Sequence, residues 1–498
     1  MNPMIQSVSK TSRVAGPVIG LLMMSACAVG PNYKGPPDAA PLATAAGHFH
    51  RAAQAPVDAA PPPAQWWLAL NDPELDRLID RALRASPTVH EAQARLRSAR
   101  AALTQQKTKL LPTGGANALE ASARIPTGGL GVLASGQGGA SGASAYDVNL
   151  YSVGFDATWE LDIFGGVRRG VEAQKAQAEA SEADLADAQV ELTADVAQAY
   201  VNLRDAQRRL SLTRADRDME QRMLDLTLQR RAAGTAADAD VERLRAQAAR
   251  TEADLAILAG QVEQSLDRIA VLAGAEPGSL DAELSAGGAP PTPPAQTPVG
   301  DPASLLRRRP DIRAAERRLA ASNAQIGVNV AQLFPQVTLL GTLGFGGTDA
   351  SRLFTGGSFT ALGAPSLSWN ILNTPRIQAQ IRGAKAQRDL AEAQYEAAVL
   401  QALQDAETSL SRYGRQREDA LALARAHASA DRAAALTRRR FEAGTASLID
   451  TLDTERQRVE AEESLSQAEA TLTNDYIALQ KSLGLGWGQP VQAAVATR

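Results

Sequence analysis

The two halves of this chain carry nearly the same message, and that duplication limits what it can build more than any other feature. Pro87, Leu96, Ala101 and Pro112 recur 223 positions later as Pro310, Leu319, Ala324 and Pro335. Trp159, Lys175 to Gln177, Gly234-Thr235-Ala236, Asp240 and Gln247 recur 210 positions later as Trp369, Lys385 to Gln387, Gly444-Thr445-Ala446, Asp450 and Gln457. With two copies and a period this long, the repeat is a duplicated structural unit and not a short-period solenoid. Whatever one half forms, the other forms again.

The unit is mainly helical. Asp72-Pro73-Glu74 supplies a cap, a first-turn proline and a first-turn acid for a helix through Leu83. Ser86-Pro87 opens a second helix, closed by Pro112. Between Val167 and Ala233 there is no proline, and only Gly170 interrupts the pattern, which predicts one helix of about 65 residues, roughly 100 Å. Leu185, Leu192, Val196, Ala199, Leu203 and Leu210 recur at sevens, fours and threes, the spacing of a coiled-coil seam. After Gly234-Thr235 a further helix carries Val241, Leu244, Ala248, Leu255, Val262, Leu266 and Ile269 at the same spacings. The second half repeats the plan, with short helices over about 310–333 and 447–483 and a long one over about 376–441. Two short helices stacked end to end match one long helix, so each half makes a slab two helices wide. Alanine-rich seams and only 4% aromatic residues suit a thin wall better than a globular core.

Between the first short helix and the long helix of each half the period changes to two. Tyr151, Val153, Phe155, Ala157 and Trp159 alternate with Ser152, Gly154, Asp156 and Thr158. Val337, Leu339, Leu343 and Phe345 alternate with Thr338, Thr342 and Gly344, and Phe359, Ala361, Leu367 and Trp369 with Thr360, Ser366 and Ser368. A strand over 113–124 alternates poorly and is assigned mainly through its duplicate. Composition alone favours an ordinary hairpin packed on helices, yet eleven tilted residues suffice to cross a bilayer. Four strands cannot close a membrane barrel, so several copies must share one.

The amino terminus has Lys10 and Arg13, an apolar run from Val14 to Met24, and Ser25-Ala26 before the only cysteine, Cys27. This is the layout of an export signal, too short to remain as a membrane span. Small residues before Cys27 resemble a lipobox, which predicts cleavage and acylation there; the alternative is a chance cysteine within a cleaved signal. Ala28 rather than Asp favours outer-membrane sorting by resemblance to sorted lipoproteins. No intramolecular disulfide is available, so the fold rests on packing. A net charge of −4 gives no footprint for nucleic acid. His48 and His50 have no cysteine or acid cluster beside them and read as part of a solvated, Pro- and Ala-rich tether.

Taken together, Cys27-Ala28-Val29-Gly30-Pro31-Asn32-Tyr33, Trp159 to Gly165 (WELDIFG), Leu305 to Ala315 (LLRRRPDIRAA), Ala331 to Val337 (AQLFPQV) and Arg440 to Asp453 (RFEAGTASLIDTLD) resemble the TolC-like outer-membrane factors of bacterial efflux pumps, in their lipoprotein (NodT/OprM-like) branch. The resemblance implies a mainly α fold with membrane β: a homotrimer with a long coiled-coil α-barrel and a shared outer-membrane β-barrel of twelve strands, four from each chain. A belt around Leu75 and Leu305, with the carboxy-terminal segment, is implied near the middle of the helices. Implied partners are a periplasmic adaptor (membrane fusion) protein, an inner-membrane pump of the resistance-nodulation-division type, and outer-membrane lipid. The protein would be a passive exit duct for drugs or other small molecules. The alternatives are the exit channel of a one-step (type I) protein secretion system and, in another class, a non-conducting coiled-coil lipoprotein scaffold.

The expected organisation is a signal peptide (1–26), an acylated tether (27–65), a first repeat (66–288, hairpin 113–159), a Pro-rich connector (289–300), a second repeat (301–486, hairpin 336–369) and a tail (487–498). Lipid attachment is expected at Cys27. Membrane-interface aromatics are expected at Tyr151, Phe155, Trp159, Phe345, Phe359 and Trp369. Gly234-Thr235 and Gly444-Thr445 end the long helices, Gly giving the left-handed stop and Thr a cap for the next helix; by resemblance these turns dock the adaptor. Also by resemblance, Ile449, Asp453 and Arg456 constrict the closed entrance. Spaced by four and three they share a helix face, although an Asp and Arg three apart is by itself most often a solvated pair. The first-half equivalents Arg243 and Ala246 break the pattern. Arg307-Arg308-Arg309-Pro310-Asp311 reads as a helix junction with local ion pairing. No Ser, His and acid constellation, phosphate loop or spaced metal ligands occur, so neither enzyme activity nor a cofactor is expected.

Overall fold

The computed structural model describes residues 28–126 and 145–488. The expected signal peptide, Cys27 and the end of the tail lie outside the described residues. The chain divides into two compact units: the first takes in the chain up to Pro36, Ser98–Ala178 and Arg317–Glu392, the second Pro37–Arg97, Glu179–Glu316 and the chain from Ala393 onward.

In the first unit, strands β1 (Thr113–Pro126), β2 (Ala145–Leu161), β3 (Gln336–Gly347) and β4 (Phe359–Ser368) form one antiparallel sheet in the order β1-β2-β3-β4. The two hairpins are therefore joined. Pairing of β2 with β3, from Tyr151 opposite Gly347 to Leu161 opposite Val337, links the halves of the duplication. Register is unbroken along all three pairs. One face carries Tyr151, Val153, Phe155 and Ala157 beside Gly347, Phe345, Leu343 and Gly341. The other carries Ser152, Asp156 and Thr158 with Thr342, but also Leu119, Leu150, Leu340 and Leu362, so alternation is looser than expected. Within the chain, β1 and β4 each keep one edge unpaired by any described strand.

Close packing at the base of the sheet seats the segment after Cys27. Val29 N donates to Phe164 O at 3.1 Å. Gly165 (φ +77°) lets the chain pass Ala28, where a Cβ would lie 2.7 Å from its Cα. Arg169, only 4% exposed, donates to Val29 O (3.1 Å), Gly30 O (3.2 Å) and Asn32 Oδ1 (2.6 Å) and pairs with Glu172 at 2.7 Å. Asn323 Nδ2 donates to Pro31 O at 3.1 Å from the second half. A Cβ on Gly30 (φ +93°) would lie 2.5 Å from the Cα of Gly327.

The second unit is helical, and the helices over 87–108, 166–232, 310–331 and 374–442 each belong partly to it and partly to the first. Helix α1 (Pro73–Ala85) is capped by Asp72, whose side chain accepts from the amides of Glu74 and Leu75. It buries Leu75, Leu78, Ile79 and Ala82. Helices α2 (Pro87–Thr108), α3 (Gly166–Ala232) and α4 (Asp238–Leu272) complete the first half. Helices α5 (Pro302–Arg308), α6 (Pro310–Ala331), α7 (Thr374–Glu442) and α8 (Leu448–Ser482) form the second. At 67 and 69 residues, α3 and α7 match the expected long helices. Of the seam predicted on α3, Leu192, Val196, Ala199, Leu203 and Leu210 are buried and Leu185 is half-buried.

The few aromatic residues of this unit are concentrated. Trp66, Tyr413 and Tyr476 are fully buried, with Tyr476 centred 6.0 Å from Trp66 and 6.1 Å from Tyr413, and Trp67 edge-on to Trp66 at 5.8 Å. Burial pushes the Tyr476 phenol above its usual range, and its hydroxyl donates to Trp66 O. Tyr200 donates to Asp72 at 2.8 Å, and buried Arg204 pairs with Glu74 and donates to Ala286 O at 2.5 Å.

Residues 37–64 differ from the bare tether expected of them. They include a short helix, Pro41–Ala46, and Phe49 is buried. The amides of His50 and Arg51 donate to the two carboxylate oxygens of Glu407 at 2.7 and 2.8 Å. Val57–Asp58 pairs in parallel with Thr297–Pro298 of the Pro-rich connector. Low hydrophobicity hid these contacts, because they are made by backbone amides and by one phenyl ring.

Replacing Arg169 with Ala leaves three part-buried acceptors, Val29 O, Gly30 O and Asn32 Oδ1, without their donor, a cost of roughly 1–3 kcal/mol. Trypsin should then cut after Lys34 faster than in the wild type, while circular dichroism stays unchanged. Equal cleavage rates would show that the segment is held by other contacts.

Candidate functional site

The sheet offers an apolar surface with polar edges. Phe155 is 67% exposed, and Leu343, Phe359 and Leu367 are also exposed in the single chain. Phe345 is half-buried and stacks edge-on with Phe354 and Phe359 at 5.6 and 5.7 Å. Tyr151 is half-buried beside it. The duplicated tryptophans do the same work in each half: Trp159 Nε1 donates to Leu110 O (3.1 Å) and Trp369 Nε1 to Leu333 O (3.0 Å). Each indole thus ties the end of a strand to the carbonyl two residues before Pro112 or Pro335. Its ring stays partly exposed, the amphipathic placement favoured at a lipid–water boundary.

The turns that close α3 and α7 are duplicates in detail. Gly234 and Gly444 have φ of +77° and +74°. Thr235 N donates to Arg230 O and Thr445 N to Arg440 O, at 2.8 and 2.7 Å, closing each helix in a Schellman arrangement. The threonine hydroxyls were expected to cap the following helices. They donate backward instead, to Arg230 O and Arg440 O at 3.0 Å each. Ser447 caps α8 and forms a reciprocal box with Asp450, whereas Ala237 before α4 has no side-chain cap.

Ile449, Asp453 and Arg456 lie on one face of α8 and line a single cavity of about 350 Å³, to which α4 contributes Arg243 and α3 contributes Asp216 and Glu220. Arg456 Nη2 donates to Asp453 Oδ1 at 2.9 Å, and Gln457 donates to Asp453 Oδ2 at 2.9 Å. Both members of the pair are about half exposed, so in the isolated chain it contributes little to stability. Ile449 is exposed. The sequence reading missed the residue behind them. Glu455, 3% exposed, pairs with Arg438 across the helical hairpin and with Arg458 at 2.9 Å, and Arg458 also reaches Glu462 at 2.9 Å. The spacing of Glu455, Arg458 and Glu462 was visible as a helix-face pattern. The duplicates of Arg438, Glu455 and Arg458 are Leu228, Arg245 and Ala248, and only Glu462 keeps its acid, as Glu252, so this charged cluster belongs to the second half alone.

The Arg307 to Asp311 motif is the helix junction expected of it: α5 stops at Arg308 and α6 starts at Pro310. Arg309 forms a two-pronged pair with Asp311 (3.0 and 2.6 Å) and donates to Ser482 O at 2.7 Å, with Asp405 at 3.6 Å. These groups border a cavity of about 460 Å³ that also holds Asp187. Burial, then the charges of Asp311 and Glu191, raises the Asp187 carboxyl to about 6, against the opposing pull of Arg309. Among the described residues no group of three His, Cys, Asp or Glu is placed to hold a metal ion, and no helix is long and apolar enough to cross a membrane.

Comparison with known proteins agrees with this architecture. The outer membrane efflux protein family matches residues 78–275 and 302–485, one match for each half of the duplication. Nodulation protein T of Rhizobium leguminosarum bv. trifolii is 30% identical over 474 residues, covering 95% of this chain and 97% of that one. Outer membrane protein OprJ of Pseudomonas aeruginosa is 31% identical over 482 residues, covering 94% and 95%. The solved outer-membrane channel OprN superposes with a TM-score of 0.82 at 36% identity, covering 93% of this chain and all of that one. The chain belongs to the outer membrane efflux protein family, has the TolC-like fold, and is an outer-membrane channel component of a tripartite efflux pump. Cys27 lies outside the described residues.

The Asp187 carboxyl sets the sign of a pH effect. The folded state holds its proton more tightly than the unfolded chain, whose value is near 3.8, so its stabilising contribution is complete below about pH 4 and is lost as pH rises through about 6. Asp187→Asn should therefore melt with the wild type in acid and above it at neutral pH. Thermal midpoints measured on either side of the window check this, and a difference independent of pH would contradict it.

Proposed function

We propose that three copies of this chain close one twelve-stranded outer-membrane barrel and serve as the passive exit duct of an efflux pump for drugs or other small molecules. The observation that carries this reading is the four-stranded sheet with two unpaired edges and an exposed apolar face. Each unpaired backbone group costs several kcal/mol in lipid, so such a sheet persists in a bilayer only when further copies close it. Strands of 10 to 17 residues are long enough to span it. In this reading Cys27 is acylated and adds a lipid anchor, which the packing of Ala28 to Tyr33 holds at the base of the sheet.

The implied partners are a periplasmic adaptor and an inner-membrane pump of the resistance-nodulation-division type, with the adaptor docking at the Gly234-Thr235 and Gly444-Thr445 turns. The duct carries out no covalent chemistry; energy enters at the pump. Ile449, Asp453 and Arg456 form the periplasmic constriction, where threefold symmetry makes one Asp453 into a ring of three carboxylates. Their shared cavity and the Asp453–Arg456 pair support that assignment.

The purified protein should migrate as a heat-sensitive trimer and conduct ions in planar bilayers. Asp453→Ala combined with Arg456→Ala should conduct well above wild type. Unchanged conductance removes the gate assignment, and a monomer that conducts nothing removes the duct.

A further inference from the structure

We propose that Asp216 of α3, with Glu220 one turn along the same helix and Glu460 and Glu463 of α8 across its cavity, forms a proton-binding site that latches α8 to α3 beside the constriction. The idea rests on the gate reading above only for its effect on conductance. Its origin is a change in the character of the seam between the two helices. Asn474 Nδ2 donates to Asn202 Oδ1 (2.8 Å), Ser466 Oγ to Asp205 (2.8 Å) and Thr213 Oγ1 to Glu463 (2.7 Å), while Arg208 faces Glu462 at 3.7 Å. Each of these pairs is complementary. One turn further along α3, toward the Gly234 turn, complementarity ends and acid meets acid.

Asp216 lies between two cavities, of about 370 and 350 Å³, and lines both. Glu460 and Glu463 line the first, and Glu220 lines the second with Asp453 and Arg456. Glu220 is 5% exposed, and its Oε2 is buried with no hydrogen-bond partner. A buried carboxylate has acceptors only, so a second carboxylate one helical turn away cannot satisfy it unless one of the two is protonated.

The neighbouring cations offset this charge only in part, most of them being paired with other acids. On α3, Arg209 faces Asp205 at 3.8 Å. On α4, Arg243 pairs with Asp240 at 3.1 Å, and Arg250 and Asp254 border the first cavity. On α8, Arg456 holds Asp453 and faces Glu460 at 3.7 Å, Arg458 holds Glu455 and Glu462, and Asp450 is bound in the Ser447 cap. No three of the described carboxylates are placed to hold a metal ion, which leaves the proton as the ligand that fits.

Burial, then the charges of Glu220 and Glu463, raises the Asp216 carboxyl from 3.8 to about 6, with Arg458 opposing. The closed seam binds the proton more tightly than the parted one, so the latch is complete below about pH 4 and is lost as pH rises through about 6. The duplicate positions are Ala426, Ala430, Arg250 and Ala253, so the equivalent seam in the other order carries no such site. One of the two seams would thus respond to pH.

The test uses the full-length trimer in lipid nanodiscs, with amide hydrogen exchange of residues 448–463 followed at pH 5 and pH 7.5 and corrected for intrinsic rates. Wild-type protection should fall by roughly tenfold or more between the two, as a proton held about two pK units more tightly allows. Asp216→Asn with Glu220→Gln, and Glu220→Gln alone should the double variant misfold, should keep high protection at both. A wild type without the step, or a variant that retains it in full, overturns the site. So does magnesium that restores protection at pH 7.5 as acid does. Conductance separates the two proposals: a protection step without any rise in Asp453→Ala/Arg456→Ala conductance leaves the latch standing and removes the gate.

Discussion

Everything in the membrane part of this protein follows from one requirement: in hydrocarbon, every backbone amide and carbonyl must find a partner within the protein. The sheet meets that requirement internally across β1-β2-β3-β4, without a bulge in any of its three pairings, and leaves it unmet at two edges. An edge is tolerable in water and very costly in lipid, so in the proposed duct assembly is part of the fold and not an addition to it. The Trp159 and Trp369 indoles act in the same way in each half, each donating its N–H to a carbonyl in the turn that precedes a strand.

The helical unit solves a different problem. Its alanine-rich seams bring backbones close but bury little area for each residue, so large side chains are spent where they count. Trp66, Tyr413 and Tyr476 pack together, Tyr200 holds the Asp72 cap, and Arg204 and Arg309 donate to the carbonyls of Ala286 and Ser482. Charge is used in a second way on α8. There Glu455 is buried between two arginines, while Glu460 and Glu463 add negative charge beside Asp216 of α3.

The period of two in 149–159 and 336–345, the seam on α3, the long helices and the Gly turns were all legible, because each is a local pattern enforced by backbone geometry. The Asp453–Arg456 pair could be read from a spacing of three. Harder to see was the joining of the two hairpins into one sheet, since β2–β3 pairing connects residues almost two hundred positions apart. The seating of Ala28 to Tyr33 by Arg169 and Asn323, and of Phe49 against a chain that reads as tether, depended on distant backbone atoms that leave no periodic trace. Thr235 and Thr445 were placed correctly but given the wrong direction, because a hydroxyl at a helix end can donate backward or accept forward.

The sequence by itself determined that one helix-and-hairpin unit is built twice, about where its long helices start and stop, and which helix faces form the seam, since those depend on neighbours three or four residues away. Only the tertiary structure decided how the two copies differ in use. Glu455 has Arg438 opposite it where the duplicate positions are Arg245 and Leu228, and Asp216 has Glu463 near it where the reciprocal positions are Ala426 and Ala253. Such differences lie in pairs brought together across helices, and electrostatic energy depends on that separation and burial, neither of which is written along the chain.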